Sequence, residues 1–343
     1  MAQAVNGIEE VTDHGGNLGA ALTLFPDAPK PWVDLSTGIN PHSYPVSDMP
    51  ASVFARLPEP SRALELQAAA AAAYGAPSGR HVVAAPGTQI LMPLVARLVA
   101  PGRARVLAPT YAEHARCAAL AGHAVEEAAS LGDLEGADLA ILVNPNNPDG
   151  RVARRKDLLE LAGTMRRRGG ILVVDEAFMD VGPADDSLAG HVGEGGLVVL
   201  RSFGKFFGLA GVRLGFALAN EVVVRRLRAE LGPWVVSGPA LEIGLGALAD
   251  PAWQADMRER LAREASALDV LLSAHGLEIA GGTSLFRLAR SADAQSLFER
   301  LGRRGILVRR FANLADRLRF GLPAGEAERA RLEDALTQWR EKE

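Results

Sequence analysis

Six short apolar runs, separated by helical patterns and each giving way to a turn or a polar residue, constrain this chain more than any other feature. They are HVVAAP (81–86), ARVLAP (104–109), LAILVNP (139–145), GILVVDE (170–176), LVVLRS (197–202) and LGFALA (214–219). Several are apolar on both faces, as strands buried in a mainly parallel sheet tend to be. The stretch RKDLLELAGTMRRR (155–168) reads as an amphipathic helix stopped by Gly169-Gly170. SRALELQAAAAAAYG reads as another, with Ser61 as N-cap and Gly75 just past its end. Beyond about residue 230 a long helix from Trp253 to Gly276 leads into LEIAGGTSLFRLA, helical DAQSLFERLG, strands ILVRRF and DRLRFGL, and a last helix from Glu326. The expected fold is α/β: a mainly parallel central sheet flanked by helices, with a smaller α+β C-terminal domain. The expected divisions are an N-terminal segment (1–45), a large α/β domain (46–235) and a small domain (236–343).

Composition narrows the function. With 37 Lys and Arg against 41 Asp and Glu, the net charge is −4, which gives no electrostatic case for nucleic acid or an anionic membrane as partner. The runs ARRK (153–156) and MRRRGG (165–170) read as a solvated face. Cys117 is the only cysteine, so neither an intrachain disulfide nor a thiolate metal cluster can form, and no metal is expected. The first residues lack the pattern of a signal peptide, and no run reaches the ~18 apolar residues of a membrane helix. A cytoplasmic enzyme is the expectation.

In open α/β sheets, ligands bind beyond the carboxyl ends of the strands. PGTQI (86–90) opens a helix there: Gly87 lets the backbone approach an anion, and the amides of Thr88 and Gln89 lie at the positive helix end. Alone, it is also an ordinary strand-to-helix turn. Tyr111 in PTYAEH follows the next strand, where its ring could stack on a flat ligand or simply join the core. NPNNPDG (144–150) forms a rigid turn that presents side-chain amides. VVDEAF (173–178) drives Asp175 to the end of a buried strand, where it needs a partner, either a protonated heterocyclic nitrogen or a core arginine. RSFGKFFGLAGVRLGF (201–216) presses Lys205 among aromatics, with Ser202 and Arg213 nearby. Phe206 follows the lysine and no glycine stands five positions before Gly204, so the nucleotide-binding loop pattern fails. Partial desolvation favours the neutral amine that attacks carbonyls, although a lysine stem lying along a core edge has the same neighbours.

Taken in order, Gly-Thr-Gln, Tyr, Asn-Pro-Asp-Gly, Asp-Glu-Ala-Phe, Ser-x-x-Lys and a later Arg resemble the fold-type I pyridoxal-phosphate-dependent aminotransferase superfamily, over nearly the whole chain. The resemblance implies pyridoxal 5′-phosphate as cofactor and a homodimer. It implies that Lys205 carries the cofactor covalently and moves protons at the substrate's Cα. Asp175 would pair with the protonated pyridine nitrogen, Asn147 with the ring oxygen, and Tyr111 would stack on the ring. Gly87, Thr88, Gln89, Ser202 and Arg213 would hold the phosphate, and Arg319 the substrate's α-carboxylate. Phe178 stands where most members have a tyrosine that bonds the ring oxygen. Leu57 stands where relatives often have a tyrosine reaching into the neighbouring subunit.

Within the superfamily the chain is similar to histidinol-phosphate aminotransferases. It is closer to the group that decarboxylates L-threonine O-3-phosphate in cobalamin biosynthesis, through DHGGNLGAAL (13–22), DLSTGINPHSYP (34–45), DEAF, GPW (232–234) and ILVRRFANL (306–314). That likeness implies a phospho-amino acid substrate held by His14, Asn40, Arg309 and Arg319, and a product (R)-1-amino-2-propanol O-2-phosphate. Transamination and L-serine O-phosphate as substrate stay open, as does ligand contact by Asn17, Arg310 or Asn313. Without the resemblance, DHGGN would read as a mobile tail turn. A non-catalytic regulator of the same fold is the reading from another class, and its basic DNA-binding signature is absent.

Overall fold

A computed structural model describes residues 14–340. Asp13 of the DHGG motif and the residues before it lie outside the described part. Among the described residues the strands are, in chain order, β1 (Val33–Leu35), β2 (Val82–Ala85), β3 (Arg103–Leu107), β4 (Ala124–Ala128), β5 (Leu139–Val143), β6 (Ile171–Asp175), β7 (Leu197–Ser202), β8 (Gly215–Leu218), β9 (Glu278–Thr283), β10 (Phe286–Arg290), β11 (Ile306–Arg310) and β12 (Arg317–Gly321). Among the described residues they fall into two compact units: residues 44–147 with 151–254, and residues 14–43 with 148–150 and 255–340.

The first unit is built on a seven-stranded sheet of order β2-β8-β7-β6-β5-β3-β4. β8 is antiparallel to both neighbours; β7, β6, β5, β3 and β4 pair in parallel. β5 and β6 are buried at every position, as expected where helices cover both faces of a sheet. All six expected strands are present; β4 and β1 were not foreseen. Helix Arg155–Arg167 buries Leu158, Leu161, Ala162 and Met165 on one face. Helix Pro60–Tyr74 starts two residues earlier than expected: Pro60 takes the first helical position and Glu59 is the N-cap, so Ser61 does not cap it. Helix Thr88–Ala96 contains Pro93 and packs Leu91, Met92 and Val95 into the core under β2, β7 and β8.

The second unit carries a five-stranded sheet of order β1-β11-β12-β10-β9, antiparallel except for β1 with β11. Helices Pro251–Ala274, Ala294–Arg303 and Glu326–Arg340 follow the expected pattern closely. Among the described residues no helix is long and apolar enough to cross a membrane.

Candidate functional site

Sheet register decides which motifs meet. Ala85 of β2 and Ser202 of β7 both pair with Gly215 of the antiparallel β8. The carboxyl ends of β2 and β7 therefore flank the start of β8, bringing Gly87, Ser202 and Arg213 to one edge of the sheet. Gly87 has φ +82°, and a Cβ there would stand 2.7 Å from Arg213 Nη2. The guanidinium thus lies against a backbone that only glycine permits, beside the N-terminus of helix Thr88–Ala96. Arg213 is exposed, holds φ 55° and donates to the Ala210 carbonyl at 3.2 Å. Backbone amides, a hydroxyl and a guanidinium at one edge suit a phosphate.

Gln89 turns elsewhere. Its amide donates to Glu113 Oε2 at 2.6 Å and its carbonyl accepts from the Tyr111 hydroxyl at 3.3 Å. Its side chain therefore belongs to a Tyr111–Gln89–Glu113 network. Burial, then the charges of Glu113 and Asp175, pushes the Tyr111 hydroxyl up to about 12, so it stays a donor throughout the neutral range.

Asp175 ends β6, buried, with Oδ1 accepting the Ala177 amide at 3.0 Å and Oδ2 2.8 Å from His114 Nε2. His114 is the residue that sequence reasoning missed. It is 2% exposed and lies edge-on to Tyr111 with ring centroids 6.0 Å apart. Its signal was in PTYAEH, three residues after Tyr111, at a spacing that puts both on one side of a turn. The core arginine considered for Asp175 instead serves Glu176. Arg201 binds Glu176 at 3.0 Å and Asp180 at 2.8 Å, and its guanidinium lies 4.3 Å from the Tyr74 ring centroid.

Two of the three asparagines in NPNNPDG are structural. Asn144 accepts the Ala153 amide and donates to its carbonyl; Asn146 accepts from the Thr110 hydroxyl and donates to the Pro109 carbonyl. Asn147 remains half-buried at the carboxyl end of β5. Lys205 sits in the short helix Phe203–Phe206 that follows β7, half-buried, with Nζ 5.6 Å from the ring centroid of buried Phe178. Phe203 and Phe207 stack at 4.5 Å, and Phe207 stacks on Trp253 at 5.7 Å, so an aromatic pile fixes the backbone carrying the lysine. An anion edge, a buried carboxylate and a half-buried amine together fit a phosphorylated, basic heteroaromatic aldehyde.

In the second unit Arg309 and Arg319 are cross-strand partners in register, which sets two like charges side by side. Arg319 is buried, donates to the Ser36 carbonyl at 2.9 Å and lies 4.9 Å from the Phe286 ring centroid. Burial first, then the Arg309 charge, draws Arg319 down to about 9. Asn40 is buried and its Oδ1 accepts the His42 amide at 2.8 Å, which directs its NH₂ away as a donor. The His42 ring lies within 2.8 and 3.0 Å of the two Glu264 oxygens. His14 is exposed, at the start of a turn docked on Ser36 rather than in a mobile tail. Asn17 caps helix Leu18–Leu24 through Ala20, Arg310 lies 4.7 Å from the Phe298 ring centroid, and Asn313 is exposed.

Comparison with known proteins adds the following. The family described as Aminotransferase class I and II matches residues 49–335. A threonine-phosphate decarboxylase of Pseudomonas aeruginosa is 44% identical, the match covering 96% of this chain and 98% of that protein. One from Sinorhizobium is 42% identical over 95% and 97% of the two chains. Among solved structures, histidinol-phosphate aminotransferase from Sinorhizobium meliloti in complex with pyridoxal-5′-phosphate superposes with TM-score 0.81 at 20% identity, covering 94% of each chain. L-threonine-O-3-phosphate decarboxylase from Porphyromonas gingivalis superposes with TM-score 0.73 at 22% identity, over 90% of this chain and all but 1% of that one (99% covered).

Proposed function

Because the chain belongs to the aminotransferase class I and II family, we propose that it is a pyridoxal-phosphate-dependent decarboxylase converting L-threonine O-3-phosphate to (R)-1-amino-2-propanol O-2-phosphate, a step of cobalamin biosynthesis. The likeness to two threonine-phosphate decarboxylases over almost the full length of both chains carries the reading. Pyridoxal phosphate, when bound, supplies an electron sink for the pair released as the Cα–carboxylate bond breaks. Gly87, Thr88, Gln89 (through its backbone), Ser202 and Arg213 hold its phosphate. Asp175, oriented by His114, would pair with the pyridine nitrogen and favour its protonated form; Asn147 and Tyr111 would contact the ring. Lys205 would hold the cofactor through its amine and would move the proton at Cα. Phe178 offers the ring oxygen no hydrogen bond. Arg309, Arg319, Asn40 and His14 grip the substrate's carboxylate and phosphate. These two anions fix which bond to Cα is placed for cleavage.

The working form is a cytoplasmic homodimer. Phe54, Leu57 and Leu64 support it, being large apolar side chains exposed within a short stretch.

The test is to supply L-threonine O-3-phosphate to the holoenzyme and measure carbon dioxide. The expected result is one carbon dioxide per amino-propanol phosphate, with the cofactor's visible band intact. Lys205→Ala should lose that band and at least about a hundred-fold in rate. A keto acid with pyridoxamine phosphate as the main products would replace decarboxylation by transamination. L-serine O-phosphate, one methyl smaller, should be the poorer substrate by about ten-fold or more.

A further inference from the structure

Ser36 directly follows β1 and is only 2% exposed, yet all three of its polar groups are engaged. Its carbonyl accepts from Arg319 Nη2 at 2.9 Å. Its hydroxyl donates to Asp34 Oδ1 at 2.5 Å, and its amide donates to the same oxygen at 2.9 Å. A carboxylate only accepts, so the hydroxyl proton points at Asp34 and a lone pair is left facing outward. That lone pair accepts the Gly16 amide at 2.7 Å. The two glycines after His14 are what allow this approach. A Cβ on Gly15 would lie 2.3 Å from the Ser36 carbonyl oxygen, and Gly16 holds φ +82°.

We propose that Ser36 is a positioning residue that fastens the His14 turn to the residue pair holding Arg319. One serine thereby ties two substrate-gripping groups together through the two sides of its own structure, the backbone to Arg319 and the hydroxyl to the turn. The inference rests on the reading that His14 and Arg319 grip the phospho-amino acid. It goes beyond that reading in saying that the turn is ordered before substrate arrives. A turn already held costs nothing to order on binding, so the latch acts on affinity and leaves the bond-breaking step alone.

The test uses the holoenzyme and three variants. Ser36→Ala removes the hydroxyl. Gly15→Ala leaves the Ser36 hydroxyl in place but sets a Cβ against the Ser36 carbonyl oxygen, which pushes the turn off. Asp34→Asn keeps an oxygen that can accept the hydroxyl proton. KM for L-threonine O-3-phosphate should rise about three- to ten-fold in the first two, the effect of one or two hydrogen bonds. Their kcat should stay within about two-fold. Asp34→Asn should behave as the parent protein. In Ser36→Ala the Gly16 amide should also exchange with deuterium faster.

Unchanged KM in both Ser36→Ala and Gly15→Ala would overturn the proposal, as would a fall in kcat with KM constant. Should Ser36→Ala fail to fold, Gly15→Ala, a change in an exposed turn, decides alone. If the parent holoenzyme releases no carbon dioxide, the proposed activity fails. The latch is then judged by calorimetric binding of L-threonine O-3-phosphate, where equal affinity in the parent and Gly15→Ala would overturn it.

Discussion

At the scale of single residues, the chemistry was legible where one side chain sits at one predictable place. Asp175 could be placed because four apolar residues, Ile171 to Val174, run it to the end of a buried strand. Its partner could not. His114 lies sixty-one positions earlier and meets Asp175 only because β3 and β6 run in the same direction on either side of β5. The Arg309–Arg319 opposition was equally hidden, since it depends on antiparallel register rather than on spacing along the chain. Tyr111 yields a test in pH. Its hydroxyl is raised to about 12 by burial and by Glu113 and Asp175, while an unfolded tyrosine ionises near 10. The native state therefore holds a proton that the unfolded chain gives up. The stability this contributes is whole below pH ~10 and is lost as pH climbs towards ~12. Urea denaturation across that window should show a shallower decline in Tyr111→Phe than in the parent protein.

Elements tell a different story, because their edges are less constrained than their middles. The six foreseen strands share a run of branched apolar residues sealed on both faces. β4, Ala124–Ala128, escaped notice because an edge strand has one wet side, and its two glutamates break the apolar run. The helix at Pro60 starts two residues before the expected position because a proline at the first turn outweighed the serine that follows it. Between β6 and β7, the second acid of DEAF proves to be mechanical. Arg201 on β7 clamps Glu176 and Asp180, and all three are buried. Burial alone would favour neutral forms. Glu176 is indeed raised by it despite Arg201, and Arg201 is raised by the two carboxylates against its own desolvation. Arg201→Ala would strand two carboxylates in the core, so we expect a loss of about 3–5 kcal/mol, read from the denaturant midpoint of the apoprotein. A loss below about 1 kcal/mol would mean that water replaces the guanidinium. In NPNNPDG, Asn144 ties the loop to the Ala153 backbone and Asn146 ties it to the segment after β3, through the Pro109 carbonyl and the Thr110 hydroxyl.

At the scale of the molecule, fold class and family were readable because motif order along a βα alternation is a property of the entire chain. The homodimer was expected from the resemblance alone, since assembly depends on surface rather than on motif order. Phe54 is 66%, Leu57 65% and Leu64 59% exposed. We expect sedimentation to give twice the chain mass of 36.2 kDa. Phe54→Glu combined with Leu57→Glu should move the species to the single-chain mass. If the parent sediments as a single chain, the dimer is refuted. The facing arginines of β11 and β12 have one more consequence. On the proposed function they hold an anionic ligand, and a ligand binding only the folded form adds stability with its concentration. On the proposed function, the ligand-free protein is then the form expected to be cleaved first by added protease, and L-threonine O-3-phosphate should slow that cleavage.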